Sequence, residues 1–368
     1  MNIGVPKEIK PHEYRVGVTP QCVRAYKQEG HSVLIECGAG IGSGYEDREY
    51  EKSGAVLVED GRRIFNEADM IVKVKEPLPE EYPFLRQDQI LFTYLHLAAN
   101  RELAQVLMER GVVSVAYETI ELEDGSLPCL TPMSEIAGRL SVQEGAKYLE
   151  KEFGGRGILL GGVPGVRRGK VSILGGGVVG TNACKIAVGI GADVSVLDIN
   201  AKRLVYLDDI FGNSVTTLYA TDANIESVLR ESDIVIGAVL VAGESTPRLI
   251  KRSHLGIMQQ GAVLVDVSID QGGCAETSRP TTHDDPIYIV DGIVHYCVSN
   301  MPGAVARSST IALTSVTLQY GLQIANQGIE RAVAGSEAIK RGVNTYKGGC
   351  VHPGVARSCC LPYQEISM

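Results

Sequence analysis

One run constrains this chain more than any other: Val171-Ser172-Ile173-Leu174-Gly175-Gly176-Gly177-Val178-Val179-Gly180. An apolar strand runs into a G-x-G-x-x-G turn that opens a helix, and a second apolar run, Gly191 to Leu197, ends on Asp198. With 42 glycines in 368 residues the spacing alone would arise by chance. The strand before it, the helix after it and the acid beyond give it meaning. Gly175 allows the tight turn, Gly177 lets a pyrophosphate approach the backbone, and Gly180 lets helix and strand pack closely. The helix N-terminus offers unpaired N–H groups to phosphates. A carboxylate at Asp198 suits ribose hydroxyls and repels a 2′-phosphate, so the pattern points to NAD over NADP. A glycine-rich turn in some other α/β unit is the alternative.

The remaining bulk properties narrow the class. At this length about two domains are expected. Apolar residues make up 44% and charged ones 21%, an ordinary globular balance. A net charge of −9 with no Lys/Arg block argues against nucleic-acid binding. No apolar run approaches a membrane span, and no signal peptide is visible, so a cytoplasmic protein is expected. The nine cysteines have no framework spacing and suit free thiols. Cys350, His352, Cys359 and Cys360 crowd the C-terminus in no common zinc pattern; no metal is expected, and a mobile tail is the reading.

Strands alternate with helices along the chain, which implies parallel, doubly wound sheets. Strands are expected at Asn2–Val5, Ser32–Glu36, Ala55–Val58, Met70–Val74, Gln89–Phe92 and Val112–Ala116, with helices near 20–29, 47–53, 60–67 and 100–110. Pro132 to Lys151 reads as a linking helix with Ser134 as N-cap, followed by a glycine-rich connector. The pattern restarts at 170 with the fingerprint, helices 201–211 and 222–231, and strands Val215–Leu218, Ile234–Ala238, Ala262–Val267 and near 287–290, a sheet of about six. A long helix follows Pro302. The fold expected is α/β with two doubly wound domains, one a Rossmann NAD-binding domain, separated by a cleft. The first, discontinuous domain takes 1–130 plus 305–368; the second takes 131–304, with 132–151 as the link.

Ligands of open parallel sheets bind beyond the carboxyl ends of strands, which singles out several side chains. Arg15 follows the first strand and can clamp a carboxylate with paired hydrogen bonds. Lys75 ends Met70-Ile71-Val72-Lys73-Val74-Lys75, and Tyr94 and His96 end Leu91-Phe92-Thr93-Tyr94-Leu95-His96. A histidine there can pass protons near neutral pH. Lys73 and Lys75 share a face by alternation, so a solvated strand end competes with a functional reading of Lys75. Asp270, in Val265-Asp266-Val267-Ser268-Ile269-Asp270-Gln271-Gly272-Gly273, can orient water or hold an amine, or simply build an Asx-type turn.

These residues lie in strings that resemble the alanine dehydrogenase family, which includes the nucleotide-binding part of the proton-pumping transhydrogenase. The strings are Ile3-Gly4-Val5-Pro6-Lys7-Glu8, Glu13-Tyr14-Arg15-Val16-Gly17, Val72-Lys73-Val74-Lys75-Glu76-Pro77-Leu78-Pro79, Phe92-Thr93-Tyr94-Leu95-His96-Leu97-Ala98, Thr282-His283-Asp284-Asp285-Pro286 and Asn300-Met301-Pro302-Gly303-Ala304-Val305. The likeness implies NAD-dependent oxidative deamination of L-alanine to pyruvate and ammonia, the reverse amination, and a hexamer. It implies that Arg15, Lys75, Tyr94 and Asn300 bind substrate and that His96 and Asp270 exchange protons. It places Ser134, Val178 and Val179 near the cofactor phosphates and Asp198 at the ribose. Arg203, Val239, Leu240, Val267, Ser268, Ile269, Asp270, Arg279, Val298, Ser299, Asn300 and Met301 complete the expected cofactor contacts.

Some positions depart from that pattern. Ala220 replaces a frequent serine near the adenosine, Ser268 a more usual alanine, and Ala306 a usual proline; the chain from Gly348 onward matches nothing expected. The competing function is a nucleotide-binding module of a transhydrogenase-like assembly, or a catalytically silent relative.

Overall fold

The computed structural model describes residues 1–239 and 246–366. They form two compact units, residues 1–133 with 303 onward, and residues 134–302. The first begins with β1 (Asn2–Val5), α1 (Pro20–Gln28), β2 (Ser32–Glu36), α2 (Asp47–Lys52), β3 (Val56–Val58) and α3 (Gly61–Glu67). Then come β4 (Met70–Val72), β5 (Ile90–Thr93), α4 (Arg101–Glu109) and β6 (Val113–Ala116). Caps mark the helix starts: Thr19 accepts from Cys22 N, Asp60 from Arg62 N and Asn100 from Leu103 N. The strands β3-β2-β1-β4-β5-β6 pair in parallel in that order.

The second unit carries most of α5 (Thr131–Tyr148), then β7 (Lys170–Leu174), α6 (Val178–Ile190), β8 (Asp193–Asp198) and α7 (Ala201–Phe211). It continues with β9 (Val215–Tyr219), α8 (Asp222–Glu231), β10 (Ile234–Gly237), β11 (Val263–Asp266), β12 (Ile287–Val290) and β13 (Ile293–Tyr296). The sheet order is β12-β13-β11-β10-β7-β8-β9, so its parallel part winds as the first sheet does, with the strand order reversing beside the unit's first strand. It has seven strands, one more than expected: the run near 287–290 turns at Asp291-Gly292 and returns as an antiparallel partner, a hairpin signal that the apolar pattern alone did not separate.

The chain closes in the first unit with α9 (Ala306–Gln327), α10 (Ile329–Gly335), α11 (Glu337–Gly342), β14 (Val343–Tyr346), β15 (Gly349–Cys350) and α12 (Pro353–Cys359). Strand β14 adds antiparallel to β6, and β15 to β14. The expected mobile tail is therefore wrong. Cys350, Val355, Ala356 and Cys359 are buried in the same apolar cluster as Leu91, Leu97, Leu103 and Leu107. The thiols behave as small apolar side chains.

Two smaller expectations also change. Ser134 is not an N-cap, because α5 starts at Thr131 and Ser134 falls inside its first turn. Pro132, tolerated in a helix's first turn, lets the helix begin earlier. The helix also stops at Tyr148 rather than Lys151; Gly155 lies so close to the Tyr148 and Leu149 carbonyls that a side chain there would overlap them. Among the described residues no helix is long and apolar enough to cross a membrane.

Candidate functional site

In the first unit, the loops after β1, β4 and β5 carry Arg15, Lys75 and His96. The strand order reverses between β1 and β4, the place where open α/β sheets hold ligands. Arg15 is 2% exposed. Its Nε and Nη2 donate to Glu13 Oε1 and Oε2 at 2.6 and 2.5 Å, and Nη1 reaches Met133 Sδ at 3.1 Å. Burial disfavours the guanidinium charge, but the Glu13 carboxylate outweighs it and holds the proton more firmly than usual.

Lys75 differs. Its ammonium is in no ion pair among the described residues, and burial first, then the neighbouring Arg15 charge, pull its pKa down. Its peptide is fixed instead: Glu8 Oε1 accepts from the N–H groups of Val74 and Lys75 at 2.6 and 3.2 Å. Glu76, beside it, pairs with Lys10. The solvated strand end is thus incorrect for Lys73, and Lys75 is half-buried. Strand β4 stops at Val72, so alternation does not carry on to them. Lys73 is 1% exposed, held by Glu81 at 2.8 Å and Glu8 at 3.2 Å.

The β4 and β5 loops are tied together by Tyr94 N to Val74 O at 3.3 Å and Thr93 Oγ1 to Lys75 O at 3.0 Å. Tyr94 is buried, donates to Cys129 O at 2.6 Å, and is raised by that burial. Its ring stacks on His96, with centroids 6.0 Å apart. His96 is exposed and takes the left-handed backbone conformation, φ 50°. A histidine there stores strain, which surrounding bonds must hold. Glu118 does so, accepting from the N–H groups of His96 at 2.6 Å and Leu95 at 3.1 Å. The structure therefore brings Arg15, Lys75, Tyr94 and His96 together.

In the second unit the fingerprint behaves as the glycine spacing requires. Gly175 has φ 103°; Gly177 has open space where a side chain would be; Gly180 sits so close to Gly175 O that a Cβ would overlap it. Gly177 caps α6 without a side-chain hydrogen bond, leaving the N–H groups of the first turn, with Val178 and Val179, directed outward. Gly138 of α5 packs against Val179 O, and Ser134 lies one turn earlier on the same face of α5. Asp198, at the end of β8, accepts from Gly176 N and Asn200 N at 2.7 Å each. This open cradle, a helix N-terminus and a half-buried acid fit a dinucleotide.

Arg203 is spent on the cradle itself. Its Nε donates to Gly176 O and its Nη2 to Thr181 Oγ1, both at 2.5 Å. At the ends of β10 and β11, Ser268 Oγ donates to Val239 O at 2.6 Å, so this hydroxyl ties the two loops. Leu240 lies outside the described residues. Val267, Ser268, Ile269 and Asp270 form a 3-10 turn capped by the buried Asp266, which accepts from Ser268 N, Cys274 N and Ser278 Oγ. Asp270 is exposed on that turn. Arg248 Nη1 holds the chain after it through the carbonyls of Gly272, Gly273 and Ala275. Arg279 stacks on Tyr288 at 4.1 Å. Val298 and Met301 are buried, Ser299 N bonds Thr281 O at 3.3 Å, and Asn300 has φ 62°.

Comparison with known proteins agrees with this geometry. Residues 4–137 match the model of the alanine dehydrogenase/PNT N-terminal domain and residues 141–353 that of its C-terminal domain. The chain belongs to the alanine dehydrogenase/PNT family. It is 53% identical over 364 residues to alanine dehydrogenase of Methanococcus maripaludis, covering 99% of this chain and 98% of that one. A solved L-alanine dehydrogenase superposes with TM-score 0.95 at 54% identity, covering 97% of this chain and 99% of the other. A transhydrogenase from Sinorhizobium meliloti gives TM-score 0.82 at 25% identity, over 96% and 99%. The resemblance read from the sequence strings is borne out.

Sequence reasoning missed the acids that hold this family member's candidate residues in place: Glu13 behind Arg15, Glu8 behind Lys75 and Glu118 behind His96. Glu13 had a signal. It lies two residues before Arg15, and in extended chain such residues share a side. Glu8 and Glu118 had none, because each acts on residues distant in sequence.

Proposed function

We propose that the protein catalyses the NAD-dependent oxidative deamination of L-alanine to pyruvate and ammonia, and the reverse amination. We read it as a cytoplasmic enzyme, consistent with nine free cysteines, working as an assembly of several copies, six by the family resemblance. The observation that carries the reading is the pairing in the first unit of a buried arginine with a half-buried lysine whose ammonium is in no ion pair among the described residues. A small carboxylate supplies an anion for it.

In this reading Arg15 and Lys75 hold the substrate carboxylate and the oxygen of pyruvate, with Tyr94 and Asn300 shaping the site. Glu13 fixes the guanidinium in one orientation, so its charge is pre-organised. Binding an anion at Lys75 relieves the repulsion from Arg15. Ser134, Gly175, Gly177, Val178, Val179, Gly180 and Asp198 hold NAD, with Val239, Leu240, Val267, Ser268, Ile269, Arg279, Val298, Ser299 and Met301 completing its contacts; Arg203 supports them through the turn. Bound NAD supplies the acceptor for the hydrogen that leaves the alanine Cα with its electron pair. The imine left behind adds water. His96 takes a proton from the water as the C–O bond forms; the nitrogen is then protonated, and as His96, with Asp270 in the proton exchange, accepts the hydroxyl proton, the C=O of pyruvate forms, the C–N bond breaks and ammonia departs. Holding Cα in line by its carboxylate lowers the barrier by positioning.

The test is NADH formation from L-alanine and NAD, with glycine, L-serine and NADP in parallel. Turnover that prefers alanine and NAD supports the reading. Tight NADH binding with no turnover of any amino acid overturns it in favour of a nucleotide-binding module.

A further inference from the structure

We infer that the C-terminal segment Gly349–Cys359 is a positioning element for His96, acting through the 3-10 turn Leu97–Ala99 that follows it. The inference rests on the reading of His96 as the proton-transfer residue.

His96 stands in a left-handed conformation, φ 50° and ψ 35°, which a side chain with a Cβ leaves unless both flanks are held. Glu118 holds the preceding flank through the N–H groups of Leu95 and His96. The following flank is held from the far end of the chain. Leu97 is 1% exposed and belongs to one apolar cluster with Val355, Ala356 and Cys359 of α12. The Cys359 thiol donates to Leu97 O at 3.0 Å. That same carbonyl accepts from Asn100 N at 2.9 Å, the bond that closes the turn. Thiol, carbonyl and turn are therefore one connected unit, one residue from the imidazole.

The segment is itself fixed before it touches the turn. Strand β15 pairs with β14, Gln364 N bonds Cys350 O at 2.9 Å, and His352 Nδ1 accepts from Val355 N at 3.2 Å as the cap of α12. Leu361 N returns to Ala356 O at 2.9 Å and ends the helix. Burial pushes the Cys359 thiol up, which keeps it in the protonated form that donates. A thiol bond of this kind is weak alone, but it sits where a small rotation of the turn redirects His96, and misplacement of a catalytic group by a fraction of an ångström is costly in rate.

The experiment uses the full chain and compares Cys359→Ala with Cys359→Ser, whose hydroxyl can still donate to Leu97 O. Turnover and backbone hydrogen exchange are read together. In Cys359→Ala, kcat for alanine oxidation should fall roughly three- to tenfold with KM for alanine changed less than about twofold, and Cys359→Ser should recover most of the loss. Exchange at the Ala99 and Asn100 amides should accelerate in the alanine variant while the β1, β4 and β5 amides keep their protection. An alanine variant with unchanged kcat overturns the inference. So does a serine variant no better than alanine, or faster exchange spread evenly over the sheet, which is loss of core packing alone. If the unmodified protein does not oxidise alanine, the functional reading has failed, and the local exchange difference alone decides whether the segment holds the turn.

Discussion

The two units wind their parallel strands in the same order, yet the places where that order reverses are furnished in opposite ways. Beside β7 the chain presents glycines, a helix N-terminus and one acid. Beside β1 and β4 it presents Arg15, Lys73 and Lys75 held among Glu8, Glu13 and Glu81. The first arrangement removes side chains so that backbone N–H groups meet a large anion. The second buries Arg15 and Lys73 and fixes them with carboxylates, leaving Lys75 half-buried and in no ion pair among the described residues. A shared topology thus supplies a crevice, and local chemistry decides whether it suits a dinucleotide or a small carboxylate.

By that contrast, the largest effect lies in the charged unit. His96→Ala should lower kcat by roughly 10³-fold, with binding of NADH unchanged, since general acid–base groups contribute about 10²–10⁴-fold; steady-state kinetics and NADH titration check it. Arg15→Lys comes next. It keeps the charge but loses the fork that Glu13 orients, and should raise KM for pyruvate on the order of tenfold or more. In the glycine unit, Asp198→Ala should narrow the preference for NAD over NADP by roughly tenfold, the usual cost of about one charged contact, measured as the ratio of kcat/KM values.

The smallest effect is on stability, and its sign is the opposite of the catalytic one. Lys75 is held below its ordinary pKa by burial and by Arg15. The unfolded chain therefore binds more protons than the folded protein between the lowered value and the ordinary lysine value, and stability rises with pH across that window. Below the window the half-buried ammonium is destabilising throughout. Lys75→Met should thus abolish turnover yet raise Tm by about 1–2 °C near neutral pH. The gain should fade as pH rises through the lysine range. A thermal melt series against pH checks it.

How much of this was legible beforehand follows from how local each feature is. The strands β1 and β2 and the helices α7 and α8 could be read to the residue, because periodicity, caps and glycines all lie within the segment. Gly175, Gly177 and Gly180 were legible for the same reason. The tail was not: Cys350, Val355 and Cys359 look like an apolar scatter until residues far back in the chain provide the cluster that buries them. Lys73 was misread because alternation was carried past the true end of β4, and only Glu8 and Glu81, from other parts of the chain, explain its burial. Ser268 stands where alanine is more usual, and its hydroxyl bridges to Val239 O, a partner that no local pattern reveals.

The central claim is that each unit binds its own kind of anion. It is tested most directly by titrating NADH, and then pyruvate in the presence of NADH, into the unmodified protein, Lys75→Met and Gly177→Val. The account expects Lys75→Met to keep NADH affinity and lose pyruvate. It expects Gly177→Val, whose side chain would fill the open space in the cradle, to lose NADH while remaining folded. Loss of NADH in Lys75→Met, or unchanged NADH binding in Gly177→Val, would contradict it.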